Sequence, residues 1–137
     1  MAAVSGGGLS HALELQGEPL VELRNQALAI AVVAVEGGTE QRLVPWADAL
    51  SKESRLSLLL DLLLSLLRDI VASRSGGEPL HRDLAAEIDS LSERAPLTAW
   101  LDAYSLAEEA IVDLRDRYLN KRITLSRLLV SLRALSA

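Results

Sequence analysis

One stretch decides most of what this chain can become. Every residue over 56–67 is leucine except Ser57, Asp61 and Ser65. With Arg68 these follow at steps of four, four and three, which in an α-helix aligns them as a single narrow polar stripe. A helix that is apolar around the rest of its circumference has to be enclosed by neighbours. The pattern therefore predicts a helix over about 54–73 at the centre of a helical domain, with Leu63 opposite the stripe and fully buried. The apolar run is too short to span a bilayer, and Asp61 interrupts it with Arg68 and Asp69 just beyond. A second apolar run, 26–35, is shorter still. The N-terminus has no basic patch followed by an apolar stretch, so no signal peptide is expected. The expectation is a soluble, cytoplasmic protein that does not engage a membrane.

Glycine and proline divide the remainder into further helices. Gly6-Gly7-Gly8 leads into a short helical stretch over 10–15, ended by Gly17. Pro19 suits the first turn of the next helix, which places Leu20, Leu23, Ala27, Ile30 or Ala31, and Ala34 on one face before Gly37-Gly38 stops it near Glu36. Over 39–51, Pro45 leaves two readings, a kinked helix or a turn followed by a helix. After Gly76-Gly77-Glu78-Pro79 a shorter helix over 81–94 turns Leu84, Ile88 and Leu91 inward. Pro96 opens a long helix reaching about Leu119, with Trp100, Tyr104, Ala107, Ile111, Leu114 and Tyr118 along one side and Asp113 and Arg117 as an i, i+4 pair. Asn120 suits a helix boundary. No strand alternation or internal repeat occurs. The fold class expected is all-α, a compact bundle of about five main helices with a short N-terminal helix. The Leu- and Ala-rich composition, with no Phe and half of all residues hydrophobic, favours the same fold.

The residues offer little chemistry. Net charge is −5 and no run of Lys or Arg provides the basic face that nucleic acid requires. The absence of cysteine removes disulfides and thiolate metal sites, in keeping with a reducing compartment. Glu78 and His81 have the Glu-x-x-His spacing of di-iron bundles, but once only, and His11 has no such partner. Gly6-Gly7-Gly8 lacks the Lys-Ser or Lys-Thr of a phosphate-binding loop. The two histidines stand on unrelated segments, which argues against a Ser-His-Asp arrangement. No catalytic residue, cofactor or metal is expected, and the fragment is read as a non-enzyme.

The order of several motifs resembles a known family. Gly6-Gly7-Gly8 is followed by Ala12-Leu13-Glu14-Leu15; the leucine-rich helix ends in Leu67-Arg68-Asp69-Ile70; and Asn120-Lys121-Arg122 precedes the closing Leu125, Leu128, Leu129 and Leu132. Together they resemble the C-terminal collar region of the delta-prime subunits of bacterial DNA polymerase III clamp loaders. The related tau/gamma collar, which is similar in its last helices, is an alternative. The family usually has Pro, Gly and Arg where this chain has Leu9, Ser10 and His11. The resemblance implies that 1–17 close a lid subdomain and that 18–137 form a helical collar. It also implies an oligomerising role in replication, with tau/gamma and delta collar domains as partners and no arginine at position 11 to reach a nucleotide phosphate. A different reading, free of the resemblance, is a regulatory bundle that homodimerises through its last two helices.

The last helix suggests where a partner would sit. Leu125, Leu128, Leu129, Leu132 and Leu135 share one face, while Arg122, Ser126, Arg127, Ser131 and Arg133 mark the other side. Ile123 and Val130, seven residues apart, form a second, thinner apolar line, which a purely solvent-facing side does not need. These two residues are the candidate partner interface.

Overall fold

A computed structural model describes residues 17–136. Gly6-Gly7-Gly8, His11 and the short helix expected over 10–15 lie outside the described residues. Six α-helices lie among the described residues: α1 (Gly17–Glu36), α2 (Glu40–Ser51), α3 (Leu56–Arg74), α4 (Ala85–Ser92), α5 (Leu97–Arg115) and α6 (Lys121–Ala134). No strand occurs among the described residues.

The leucine-rich helix, α3, is central. It packs on α1, α4 and α5. Leu59, Leu63, Leu66 and Leu67 expose nothing, whereas Ser57, Asp61 and Arg68 face solvent and Ser65 is half-buried. The opposite side of the bundle is closed by α6, which packs on α2, α5 and α1. On α1, Leu23, Ala27, Ile30, Ala31 and Ala34 are buried as the 3.6-residue periodicity demands.

Gly37 stops α1. Its φ of 71° is one that only glycine adopts freely, and its N–H donates to the Val33 carbonyl at 2.9 Å. The uncertain segment 39–51 is a single helix, α2, with Pro45 inside it. Pro45 and Gln41, the residue whose carbonyl loses its helical donor, are both exposed, so the missing bond falls on the solvent side of the helix. Leu43, Ala47 and Leu50 face inward.

Three sequence expectations need correction. The helix expected over 81–94 begins with a 3₁₀ turn, Arg82–Leu84, and is regular only from Ala85 to Ser92, because the residues before it are held by side chains of α3 and α1. The long helix ends at Arg115 rather than near Leu119. Beyond it Arg117 N–H reaches the Val112 carbonyl at 3.2 Å and Leu119 N–H the Asp113 carbonyl at 2.9 Å, while Tyr118 takes a φ of 53°. The helical rotation that would have carried Tyr118 inward is lost at Asp116, and Tyr118 is 85 % exposed. The Asp113–Arg117 pair survives, at 2.8 Å on a buried carboxylate, although Arg117 lies outside the helix.

Candidate functional site

The helix α6 is set by its cap and its leucines. Asn120 Oδ1 accepts the Ile123 N–H at 2.9 Å, satisfying one of the free donors of the first turn. Leu125, Leu128, Leu129 and Leu132 are buried, and Leu135, just past the helix end, is half-buried. On one flank Arg133 approaches Glu40 of α2 at 3.6 Å, and Arg122 approaches Asp48 at 4.0 Å. On the other flank Thr124, Leu128 and Ser131 border a hollow shared with Leu106 and Ala110 of α5. Ile123, Val130 and Ala134 border neither the hollow nor these ion pairs. Ile123 is 52 % exposed and Val130 half-buried. The two candidate interface residues therefore share one outward edge, clear of the core.

A second cluster escaped the sequence. Asp69 is only 2 % exposed, and its two oxygens accept the main-chain N–H groups of Leu80 (2.9 Å) and His81 (2.8 Å). Ser65 Oγ, one turn earlier on α3, hydrogen-bonds His81 Nε2 at 2.8 Å. Arg24 of α1 grips the Asp83 carboxylate with both terminal nitrogens. Three side chains from two helices thus fasten the connection between α3 and α4. Burial pushes the His81 imidazole below its ordinary pKa, helped by the cations of Arg24 and Arg68 and opposed by Asp69 and Asp83. The hydrogen bond from Arg24 holds the Asp83 carboxyl below the usual range.

The hydroxyl–imidazole pair is half of a nucleophile constellation. The carboxylate that would orient the ring is committed elsewhere, since both Asp69 oxygens are taken by main-chain donors. The pair serves as a fastening. Glu78 is exposed, and among the described residues no three His, Asp or Glu side chains gather as a metal-binding group. No helix is long and apolar enough to cross a membrane among those residues. The clue in the sequence was Asp69 itself, an acid three residues after Leu66 and two after Leu67, on the apolar side of the stripe. An acid there needs buried donors.

No described protein family, curated protein or solved structure matches this chain.

Proposed function

We propose that the domain is an assembly module, the helical collar of a bacterial clamp-loader subunit of the delta-prime kind. The observation that carries this reading is the division of labour on α6. Its leucine face is used up inside the bundle, yet Ile123 and Val130 keep an apolar edge turned outward. A terminal helix packed only on its own domain needs one apolar face. The order of motifs supports the same reading: a leucine-rich central helix closing on Leu67-Arg68-Asp69, then Asn120-Lys121-Arg122 opening the last helix. In this role the domain supplies adhesion and position to a ring of subunits that loads the sliding clamp, and the hydrolysis belongs to other parts of the complex.

Val130→Asp tests the edge. A charge placed in a desolvated contact weakens association strongly, while the inward leucines are untouched. The expected result is an unchanged circular dichroism spectrum together with loss of co-elution with purified tau/gamma and delta collar fragments. Co-elution that survives the substitution removes Val130 from the interface. A wild-type domain that ignores both fragments and elutes as its own dimer replaces the collar reading with that of a homodimerising bundle.

A further inference from the structure

One end of the bundle gathers features that the collar edge leaves unused. Eight large apolar side chains are exposed among the described residues, and two of them, the adjacent Tyr118 and Leu119, fall in the short segment joining α5 to α6. Tyr118 is also the one non-glycine residue at positive φ among those described. Glycine would hold this turn without strain. A fully presented tyrosine kept there against local preference is the kind of outlier that gathers at binding sites. The turn is held firmly by the two main-chain bonds to Val112 and Asp113, so the ring stands on ordered backbone. Tyrosine presented in this way is a common anchor of protein contacts.

At the same end a pocket of about 220 Å³ opens between the start of α3 and the end of α5. Leu56, Leu60, Ile111 and Leu114 give it apolar walls, and Arg115 and Lys121 stand on its rim with Glu53 across from them. The charge here runs against that of the whole chain. Arg115, Arg117, Lys121 and Arg122 crowd one short stretch that has Asp116 as its only acid, in a chain of net charge −5. Arg115 and Arg117 are each satisfied by a carboxylate at 2.8 Å. Arg122 has only Asp48 at 4.0 Å, and Lys121 has no carboxylate within 4.0 Å among the described residues. An apolar pocket, an exposed aromatic and an unmatched cation thus adjoin one another.

We propose that this end of the bundle is a docking site for an acidic amphipathic segment of a partner protein. An aliphatic side chain of that segment enters the pocket between α3 and α5, its carboxylates meet Lys121, and Tyr118 and Leu119 pack along it. Complementary charge favours a protein segment over a phosphate polymer or an anionic membrane. Those need a wider basic face than this end provides, where Arg115 and Arg117 are already paired and Lys121 is the cation left unmatched. The proposal does not rest on the collar reading, since it uses a different surface and a different kind of partner.

The test uses the full chain labelled with ¹⁵N and a helical peptide of alternating leucine and glutamate patches. Comparison probes are the same peptide with lysine in place of glutamate, vesicles rich in phosphatidylglycerol, and a single-stranded oligonucleotide. The glutamate peptide is expected to shift amides over 54–60 and 111–123, with affinity that falls as salt is raised. Lys121→Glu should weaken it about tenfold. Tyr118→Gly is the decisive variant: it relieves the backbone, so the domain should melt no lower than wild type, yet peptide affinity should fall about tenfold. Val130→Asp should bind the peptide as wild type does, which separates this site from the collar edge. No binding, equal binding of the lysine peptide, tighter binding of vesicles or oligonucleotide, or a Tyr118→Gly domain with full affinity would each overturn the proposal.

Discussion

Replacing Asp69 with alanine strips the acceptor from two buried main-chain donors at once. The Leu80 and His81 N–H groups lie 2.9 and 2.8 Å from its oxygens, and the side chain is 2 % exposed, so water has no easy route to take over. Hydrogen bonds to a charged group contribute about 1.5–3 kcal/mol each, less the cost of having buried the carboxylate. Asp69→Ala should therefore destabilise the domain by roughly 2–4 kcal/mol, a large part of the ~5–15 kcal/mol typical of a folded domain. Asp69→Asn retains one acceptor and turns an NH₂ toward the second donor, so it should fall between alanine and wild type. Urea denaturation gives the global figure, and native-state hydrogen exchange gives the local one. Exchange at Leu80 and His81 should accelerate well beyond the change at buried α3 amides such as that of Leu63. An alanine variant within about 0.5 kcal/mol of wild type, or unchanged protection of the two amides, would refute the idea that this carboxylate fastens the connection.

Other consequences follow from the same structure. Leu63 exposes nothing, so Leu63→Ala should cost about 2–5 kcal/mol; an unchanged melting temperature would deny α3 its central place. The His81 imidazole is held below its ordinary 6.5, so the folded domain takes up that proton at lower pH than the unfolded chain does. Its contribution is complete above pH 6.5 and declines as pH falls below that value, and urea midpoints on either side should show the slope in wild type and lose it in His81→Gln. Asp83, shifted down by Arg24, adds its own loss only below 3.8, which separates the two effects. Gly37→Ala places a Cβ 2.9 Å from Ser136 Oγ on a φ of 71° and should cost about 1–2 kcal/mol by thermal melting.

What the sequence revealed depended on periodicity. The polar stripe of α3 and the leucine face of α6 are regular along one helix, and both appear in the fold as read. Pro45 was ambiguous because a proline inside a helix can kink it or end it, and which of these occurs depends on the packing around it, which is a tertiary fact. Tyr118 was misplaced because helical spacing was extended past Asp116, where the main chain turns to bond Val112 and Asp113 instead. The Ser65–His81 contact joins residues on separate elements, and no local pattern encodes it. Ile123 and Val130 were singled out from their spacing alone; Ile123 is exposed and Val130 half-buried. The pocket beside Tyr118 is assembled from three elements and left no mark in any single one.

The pairing of α2 with α6 has a consequence for how the chain folds as it is made. Helices α1, α3, α4 and α5 contact one another and can gather as soon as α5 has left the ribosome. The main support of α2 is α6, which is synthesised only after three further helices. Until then Leu43, Ala47 and Leu50 have no lasting cover, and the nascent domain carries a bare hydrophobic strip of the kind chaperones hold. On this order α6 would seat itself last, on α1, α2 and α5, joining segments far apart in sequence. A proteolytic cut in the segment between α5 and α6 would for the same reason loosen two helices rather than one.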